Sequence, residues 1–322
     1  MSNKFIANEL PIIYVTSECS ERQIGSKQDI AAVLTLEEDI TTKEDGDQPV
    51  DVIAVMDGHG HNVSFEIIRE ENLHQHFAAS DPAESLQQAL DIKIQIKMEE
   101  KNRIKYVNGT SYRDFLRNRI AYYDIKTSGA TLSFAKIYRN TTTKKIKIVA
   151  EWLGDSLIIV FINGELVFQS EIHHASNILE TERLKEKGVL SEVKTSKTGF
   201  KVLNKDTIES IPGKYVLFNN GTIMAVTRSL GHYRITGIET QKETIECSTD
   251  DDVKVIILSD GVGDILHMET DIEKLKTYSA EDIVDFAEKR WKQEWNYNGK
   301  KINFPSNGYD DCSCAIWCHK KM

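Results

Sequence analysis

Apolar residues in this chain gather in short, nearly unbroken runs. DIAAVLTL (29–36), DVIAVMD (51–57), LIIVFI (157–162) and VKVIILSD (253–260) have strand length and end at turn residues, so they read as buried strands. ATLSFAKIY (130–138) and KIKIVAEWL (145–153) flank the polar RNTTTK and predict a hairpin. LIIVFI and LVFQ flank Asn163-Gly164, and KYVLF and TIMAV flank Asn220-Gly221. Asn-Gly is a tight-turn signal because both residues tolerate positive φ. CSCAIWC (312–318) predicts a closing strand, and EEDITTKEDGDQ (37–48) a solvated acidic hairpin tip.

A different period marks the helices. Two are predicted after the strand at 51–57. The second starts at Asp81, with Pro82 in the first turn and Glu84 three residues after the cap. Its Leu86, Leu90, Ile94 and Met98 repeat every four residues and form a core-facing stripe. LETERLKEKG (179–188) predicts a short polar helix. Ser279 caps a last helix whose Ile283, Ala287, Trp291 and Trp295 share one face. Hairpins outnumber crossovers. The fold class is therefore α+β, with mainly antiparallel sheets and helices packed outside them.

Composition narrows the function classes. The 322 residues are 40% hydrophobic and 28% charged, enough for a real core. A formal charge of −10 disfavours a nucleic-acid partner. No apolar run approaches the roughly 18–20 residues of a membrane span. The first residues lack a signal-peptide core, and Gly is not at position 2. Five cysteines, an odd number, suit a reducing cytoplasmic or nuclear compartment. Cys312, Cys314, Cys318 and His319 have no finger spacing and read as buried strand thiols rather than a zinc site. Without a linker or repeat, residues 1–322 read as one domain.

Candidate chemistry lies at strand ends. Asp57 ends a strand in DGHGH, Asp260 ends another in SDG, and Asp155 follows Gly154 after a third. Asp310-Asp311 and Gln28-Asp29 open two more. One such acid is ordinarily a turn residue. If several converge, their repulsion requires a cation, and oxygen-only donors select Mg²⁺ or Mn²⁺.

These motifs resemble, in order, those of the metal-dependent (type 2C, PPM) serine/threonine protein phosphatases. VMDGHGH is similar to the family's Asp-Gly-His-Gly-Gly signature, SGATLSF to its Ser-Gly-Ser/Thr-Thr strand and LGDSLIIVF to its Gly-Asp-Ser-Arg strand. ETERLKEKG resembles Glu-Arg-x-Arg-Ile before its flap, and MAVTRSLG resembles Leu-Ala-Val-Ser-Arg-Ala-Leu-Gly. ILSDGVGDIL and YDDCSCAIW resemble its Ser-Asp-Gly-Leu-Trp-Asp-Val-Leu and Asp-Asn-x-Thr segments. The matches span about 22–317, with the flap at about 175–212.

The resemblance implies a four-layer αββα sandwich, with two antiparallel sheets between helices and a two-metal cleft at one edge. Asp57 would bridge two Mg²⁺ or Mn²⁺ ions, the Gly58 carbonyl would bind one, and Asp260 and Asp310 would complete the shell of the other. The Gln28-Asp29 pair would supply a ligand or hold a metal-bound water, with Asp29 favoured because Gln28 brings no charge. Asp155, with Asp260, would hold a third, weaker ion. A hydroxide shared by the two ions would attack phosphorus, and His59 would protonate the leaving serine or threonine oxygen. The implied substrates are phosphorylated proteins.

Several positions depart from the family pattern. Its phosphate-binding arginine is Ile24 here, which leaves Arg22 or Lys27 to hold the phosphate. The arginine after Gly-Asp-Ser is Leu157, the aspartate after Ala-Leu-Gly is His232, the tryptophan of Asp-Gly-Leu-Trp-Asp is Gly263, and the asparagine of the last motif is Asp311. His61 replaces a glycine and reads as a turn residue. These departures keep two alternatives open: a weak or inactive relative that acts by binding, and a hydrolase of another phosphoester.

Overall fold

The computed structural model describes residues 13–37, 46–107 and 124–321; most of the acidic tip at 37–48 lies outside them. A first antiparallel sheet has the order β1 (Ile13–Arg22), β17 (Cys312–Lys321), β14 (Val253–Leu258), β7 (Leu157–Ile162), β8 (Glu165–Gln169). A second contains β2 (Asp29–Leu36), β3 (Val50–His59), β4 (Gly129–Ala130), β5 (Leu132–Asn140), β6 (Lys145–Leu153), β12 (Leu230–Gly231) and β13 (Gln241–Ser248). A third is built on the long hairpin of β9 (Leu190–Val202) and β10 (Thr207–Phe218), joined by β11 (Ile223–Met224), β15 (Trp295–Tyr297) and β16 (Lys300–Ile302).

The unbroken apolar runs are explained by burial on both faces. Along β3, Ile53 and Val55 point one way and Val52, Ala54 and Met56 the other, as strand pleating dictates. Ile53 and Val55, with Ala135, Ile148 and Trp152, pack on Ile158, Val160, Val255, Ile257 and Trp317 of the first sheet. The opposite face meets Ile67, Phe77, Leu86, Leu90 and Ile94 from α1 (Val63–Arg69), α2 (Leu73–Ala78) and α3 (Pro82–Val107). The outer face of the first sheet, with Ile159, Ile256 and Ile316, meets Leu275, Ile283, Val284, Ala287 and Trp291. These come from the helices Met268–Thr277 and Ala280–Lys292. The helices thus cover the outer faces of two packed sheets. Each fully buried Val, Leu, Ile, Phe or Met side chain among them contributes roughly 1.5–3 kcal/mol.

The helix starts follow the sequence signals. The Glu84 N–H donates to Asp81 Oδ1 at 2.9 Å, and Ser279 and Asp282 form a reciprocal capping box. Among the described residues, two short helices, α1 and α2, lie between β3 and the helix that opens at Pro82, where the sequence predicts one. The last helix ends at Lys292, so Trp295 is not on its face. The chain is extended at Gln293, and Trp295 opens β15, fully buried, with Nε1 donating to the Arg290 carbonyl at 3.0 Å. The strands β1, β13, β15, β16 and most of β9 carried no sequence signal. All five cysteines are unpaired, and Cys312 and Cys314 are buried in β17. No helix among the described residues is long and apolar enough to cross a membrane.

Candidate active site

The acids come from matching ends of the two large sheets. In the second, β2 and β3 pair antiparallel with Asp29 opposite Asp57. In the first, Leu258 pairs with both Leu157 and Cys314, so the strand ends beside Asp155, Asp260 and Asp310 fall on one edge. Asp57, Asp155, Asp260 and Asp310, with Ser26, Gln28, Gly58 and His59, line one cavity of about 280 Å³. Asp29 lies behind this wall, only 1% exposed.

Backbone fixes Asp57. Between β4 and β5 the Thr131 N–H donates to the Asp57 carbonyl at 2.8 Å, and Thr131 Oγ1 accepts from the Asp57 N–H at 3.0 Å. The Gly58 N–H donates to the Gln28 carbonyl at 2.8 Å. Gly60 sits at φ +76°, where a Cβ would lie 1.8 Å from the Thr127 carbonyl oxygen. The glycine is required both by conformation and by this close approach.

The electrostatics are those of crowded anions. Burial, then Asp260 and Asp29, push Asp57 well above the carboxylate range. Burial and Asp260 raise Asp29 to about 7 and Asp310 to about 8, and burial with Asp260 and Asp264 raises Asp155 strongly. One oxygen of Asp155 and one of Asp260 are buried without a hydrogen-bond partner among the described residues; the Asp29 oxygens are buried too, and the nearby Ser313 and Ser259 hydroxyls offset only part of the rise of its carboxyl. Unpartnered buried carboxylates are costly, and a hard dication is the counter-charge this all-oxygen donor set suits. Among the described residues, however, no three such side chains stand close enough to grip one ion. The acids ring the cavity.

Burial lowers the His59 pKa to about 4, with only partial compensation from the Asp57 backbone and Asp260. Its Nε2 lies 2.9 Å from His232 Nε2, while its Nδ1 is buried without a partner. Burial and His59 lower His232 to about 3. His61 stands at the surface, with Nε2 3.3 Å from Asp124.

Arg22 does not reach the cavity: its guanidinium is 2.6 Å from Asp285 and within 3.6 Å of Glu281 and Glu288, carboxylates of the last helix that capture it first. Lys27 is exposed at φ +66° beside Ser26 and Gln28, and it is not part of the cavity wall. The Gln28 amide donates to Asn62 Oδ1 and, at 3.4 Å, to the Gly60 carbonyl, so this side chain braces the 58–62 loop. Asp311 is likewise occupied, accepting from the N–H groups of Gly25 at 2.6 Å and Gln28 at 2.9 Å.

The segments ETERLKEKG and MAVTRSLG meet through a buried ion pair. Arg228 Nε donates to both Glu180 oxygens, at 3.0 and 3.1 Å, and Arg183 Nη2 donates to Oε2 at 3.0 Å. Burial alone would raise the Glu180 carboxyl; the two guanidiniums overcome it and hold it at about 2.

Asp155, Asp260 and His59 also line a neighbouring groove of about 690 Å³, walled by Tyr215, Ile223, Met224 and His232. The model of the family described as protein phosphatase 2C matches residues 17–294. The chain belongs to the protein phosphatase 2C family. Solved structures similar to it include a C. elegans sex-determining protein, 18% identical, with 95% of this chain and 64% of that one covered and a TM-score of 0.46. An S. agalactiae serine/threonine phosphatase is 18% identical over 95% of this chain and 99% of its own, with a TM-score of 0.46. The Mycobacterium tuberculosis serine/threonine phosphatase PstP/Ppp is 13% identical over 96% and 99%, with a TM-score of 0.43. No curated protein sequence matches the chain. In this 2C-family chain, Ser26 and Asn62 support the site without any signal in the sequence, because each acts through a partner distant along the chain, Asp311 and Gln28; Thr131 lies in the SGATLSF segment, but its bond to Asp57 is set by the fold.

Proposed function

We propose that this chain is a Mg²⁺- or Mn²⁺-dependent phosphatase acting on phosphoserine and phosphothreonine in proteins, with residues 1–322 forming one catalytic domain. The observation that carries the reading is the convergence of Asp57, Asp155, Asp260 and Asp310 on one cavity, with Asp29 behind it and buried oxygens left unpartnered. Asp57, Asp260, Asp310 and the Gly58 carbonyl would hold two ions, with Asp29 supporting them and Asp155 serving a third, weaker position. When bound, the ions supply a water of lowered pKa and positive charge facing the phosphate.

The chain supplies the rest. Five unpaired cysteines fit a reducing compartment, the cytoplasm or nucleus. The groove walled by Tyr215, Ile223 and Met224 gives substrate polypeptide a surface beside the acids. His59 is the proton carrier. Nε2 faces His232, so the leaving oxygen takes its proton from Nδ1.

The test is release of phosphate from p-nitrophenyl phosphate and from a phosphothreonine peptide, with Mn²⁺, Mg²⁺ or chelator. Asp57→Ala and Asp260→Ala serve as controls. Cation-dependent turnover of both esters, lost in both variants, is expected; turnover of the small ester alone points to another phosphoester as substrate. A second reading, a weak or inactive relative that binds a partner, draws on two observations: among the described residues no three acids stand close enough to grip one ion, and Arg22 is held elsewhere. No release with any cation from a folded protein would favour it.

A further inference from the structure

We propose that the groove beside the acids is a specificity subsite for a bulky apolar side chain flanking the phosphorylated residue of a protein substrate, with Tyr215, Ile223 and Met224 as the residues that select it. This rests on the phosphatase reading and names the substrate sequence which that reading leaves open.

The groove is continuous with the acid-lined cavity. His59, Gly60, Asp155, Val226 and Asp260 line both. The cavity, at about 280 Å³, falls below the roughly 300–1,000 Å³ of sites that enclose a drug-sized ligand, and the groove, at about 690 Å³, falls within that range. A phosphorylated side chain seated at the acids therefore brings its neighbours in sequence against the groove.

Strand pleating sorts the wall. Val216 of β10 pairs with Met224 of β11, and Leu217 pairs with Ile223. Val216 and Met224 pack into a small core with Leu184 and Phe218. Tyr215, Leu217 and Ile223 take the opposite face. Ile223 is 53% exposed there. A lone exposed isoleucine is ordinary, but this one continues an apolar wall made with Tyr215, Met224 and Val226. A ligand side chain that covers it gains by burial.

Charge narrows the choice. No lysine or arginine lines the groove, and its carboxylates, Asp155 and Asp260, stand at the end shared with the cavity. An acidic flank would lose hydration there without meeting a cationic side chain. Under the phosphatase reading Asp155 and Asp260 are engaged by cations, so a basic flank finds no free counter-charge.

The wall is built before any substrate arrives. The Phe218 N–H donates to the Thr222 carbonyl at 2.8 Å. The Ala175 N–H donates to the Ala225 carbonyl at 2.7 Å, and the Thr227 N–H to the His173 carbonyl at 2.9 Å. Residues 222–227 are thus pinned by β10 on one side and by 173–175 on the other, and little ordering is left for binding to impose.

The experiment measures kcat/KM for phosphothreonine peptides in which leucine, alanine, aspartate or arginine is walked through the flanking positions. The proteins are wild type, Ile223→Ala and Ile223→Lys, and binding of the same peptides is read by fluorescence anisotropy. At one flanking position wild type should favour leucine over alanine by about 10-fold or more, and over aspartate and arginine by at least as much. Ile223→Ala should cut the leucine preference to less than about threefold. Ile223→Lys should place aspartate above leucine at that position, a reversal that a purely structural role of Ile223 would not produce. Ratios between peptides within one protein are compared, so a loss of folding or turnover common to all substrates cancels. A wild type that treats all flanks alike or favours a charged one, or an Ile223→Lys that keeps the wild-type order, overturns the proposal. If wild type hydrolyses neither p-nitrophenyl phosphate nor any peptide, the phosphatase reading fails. The anisotropy ratios then decide the groove, with absent binding or absent leucine preference overturning it.

Discussion

Asp29 and Asp57 are direct cross-strand partners at the end of β2 and β3. Like charges in that position are destabilising, yet Asp310 and Asp260 press on the same place. Under the proposed metal-dependent reading, a bound cation would offset that repulsion.

The first prediction concerns pH. Asp29 at about 7 and Asp310 at about 8 are raised above an unfolded value near about 4. An acid with a raised folded pKa carries no penalty below its unfolded value and the full penalty above its folded one. The melting temperature in chelator should therefore fall as pH rises from about 4 to about 8. Millimolar Mn²⁺ should flatten that fall. Equal slopes with and without cation would contradict the role of these acids.

Asp260→Asn should separate stability from function. Asp260 raises Asp29, Asp57, Asp155 and Asp310 alike. Removing its charge should raise the metal-free melting temperature by about 2 °C or more, while turnover is lost. Calorimetry of the chelated protein beside a phosphate-release assay makes the comparison.

Glu180→Ala leaves two guanidiniums without their shared carboxylate and should destabilise by about 3–5 kcal/mol, measured by urea unfolding. The pH sign is opposite to that of Asp29 and Asp310. Glu180 is depressed to about 2, so its contribution is complete above the unfolded value near about 4.3 and is lost as pH falls toward 2. In the variant that acid-range loss should be smaller.

Arg22→Ala tests the phosphate-binding expectation. Its partners are carboxylates of the last helix, partly exposed to solvent. KM for p-nitrophenyl phosphate should stay within about twofold, with a stability loss of about 0.2–1 kcal/mol. A large rise in KM would return Arg22 to the site.

Gly60→Ala should damage the site more than its size suggests. The backbone is left-handed there, and a Cβ would strike the Thr127 carbonyl. We expect a loss of about 1–3 kcal/mol and of turnover, whereas Gly164→Ala, also left-handed but with nothing within 4 Å, should lose stability alone.

Much of the fold was written locally. The runs 29–36 and 145–153 became strands with those bounds: 145–153 opens on alternation, with Lys145 and Lys147 exposed and Ile146 and Ile148 buried, and 29–36 is a short apolar run bounded by polar residues. The strands β13 and β1 were silent because each lies at a sheet edge and is largely polar. The acids at the strand ends, the glycines around Asp57 and the order of motifs were also legible, since turn chemistry and spacing belong to neighbouring residues. What the tertiary structure alone decided are partnerships across distance. Arg22 is taken by Asp285, 263 positions away, and His59 is met by His232, 173 positions away. A carboxylate or imidazole looks the same in sequence whether it faces a cavity or a neighbour, because its chemistry is set by which groups packing places within about 3 Å.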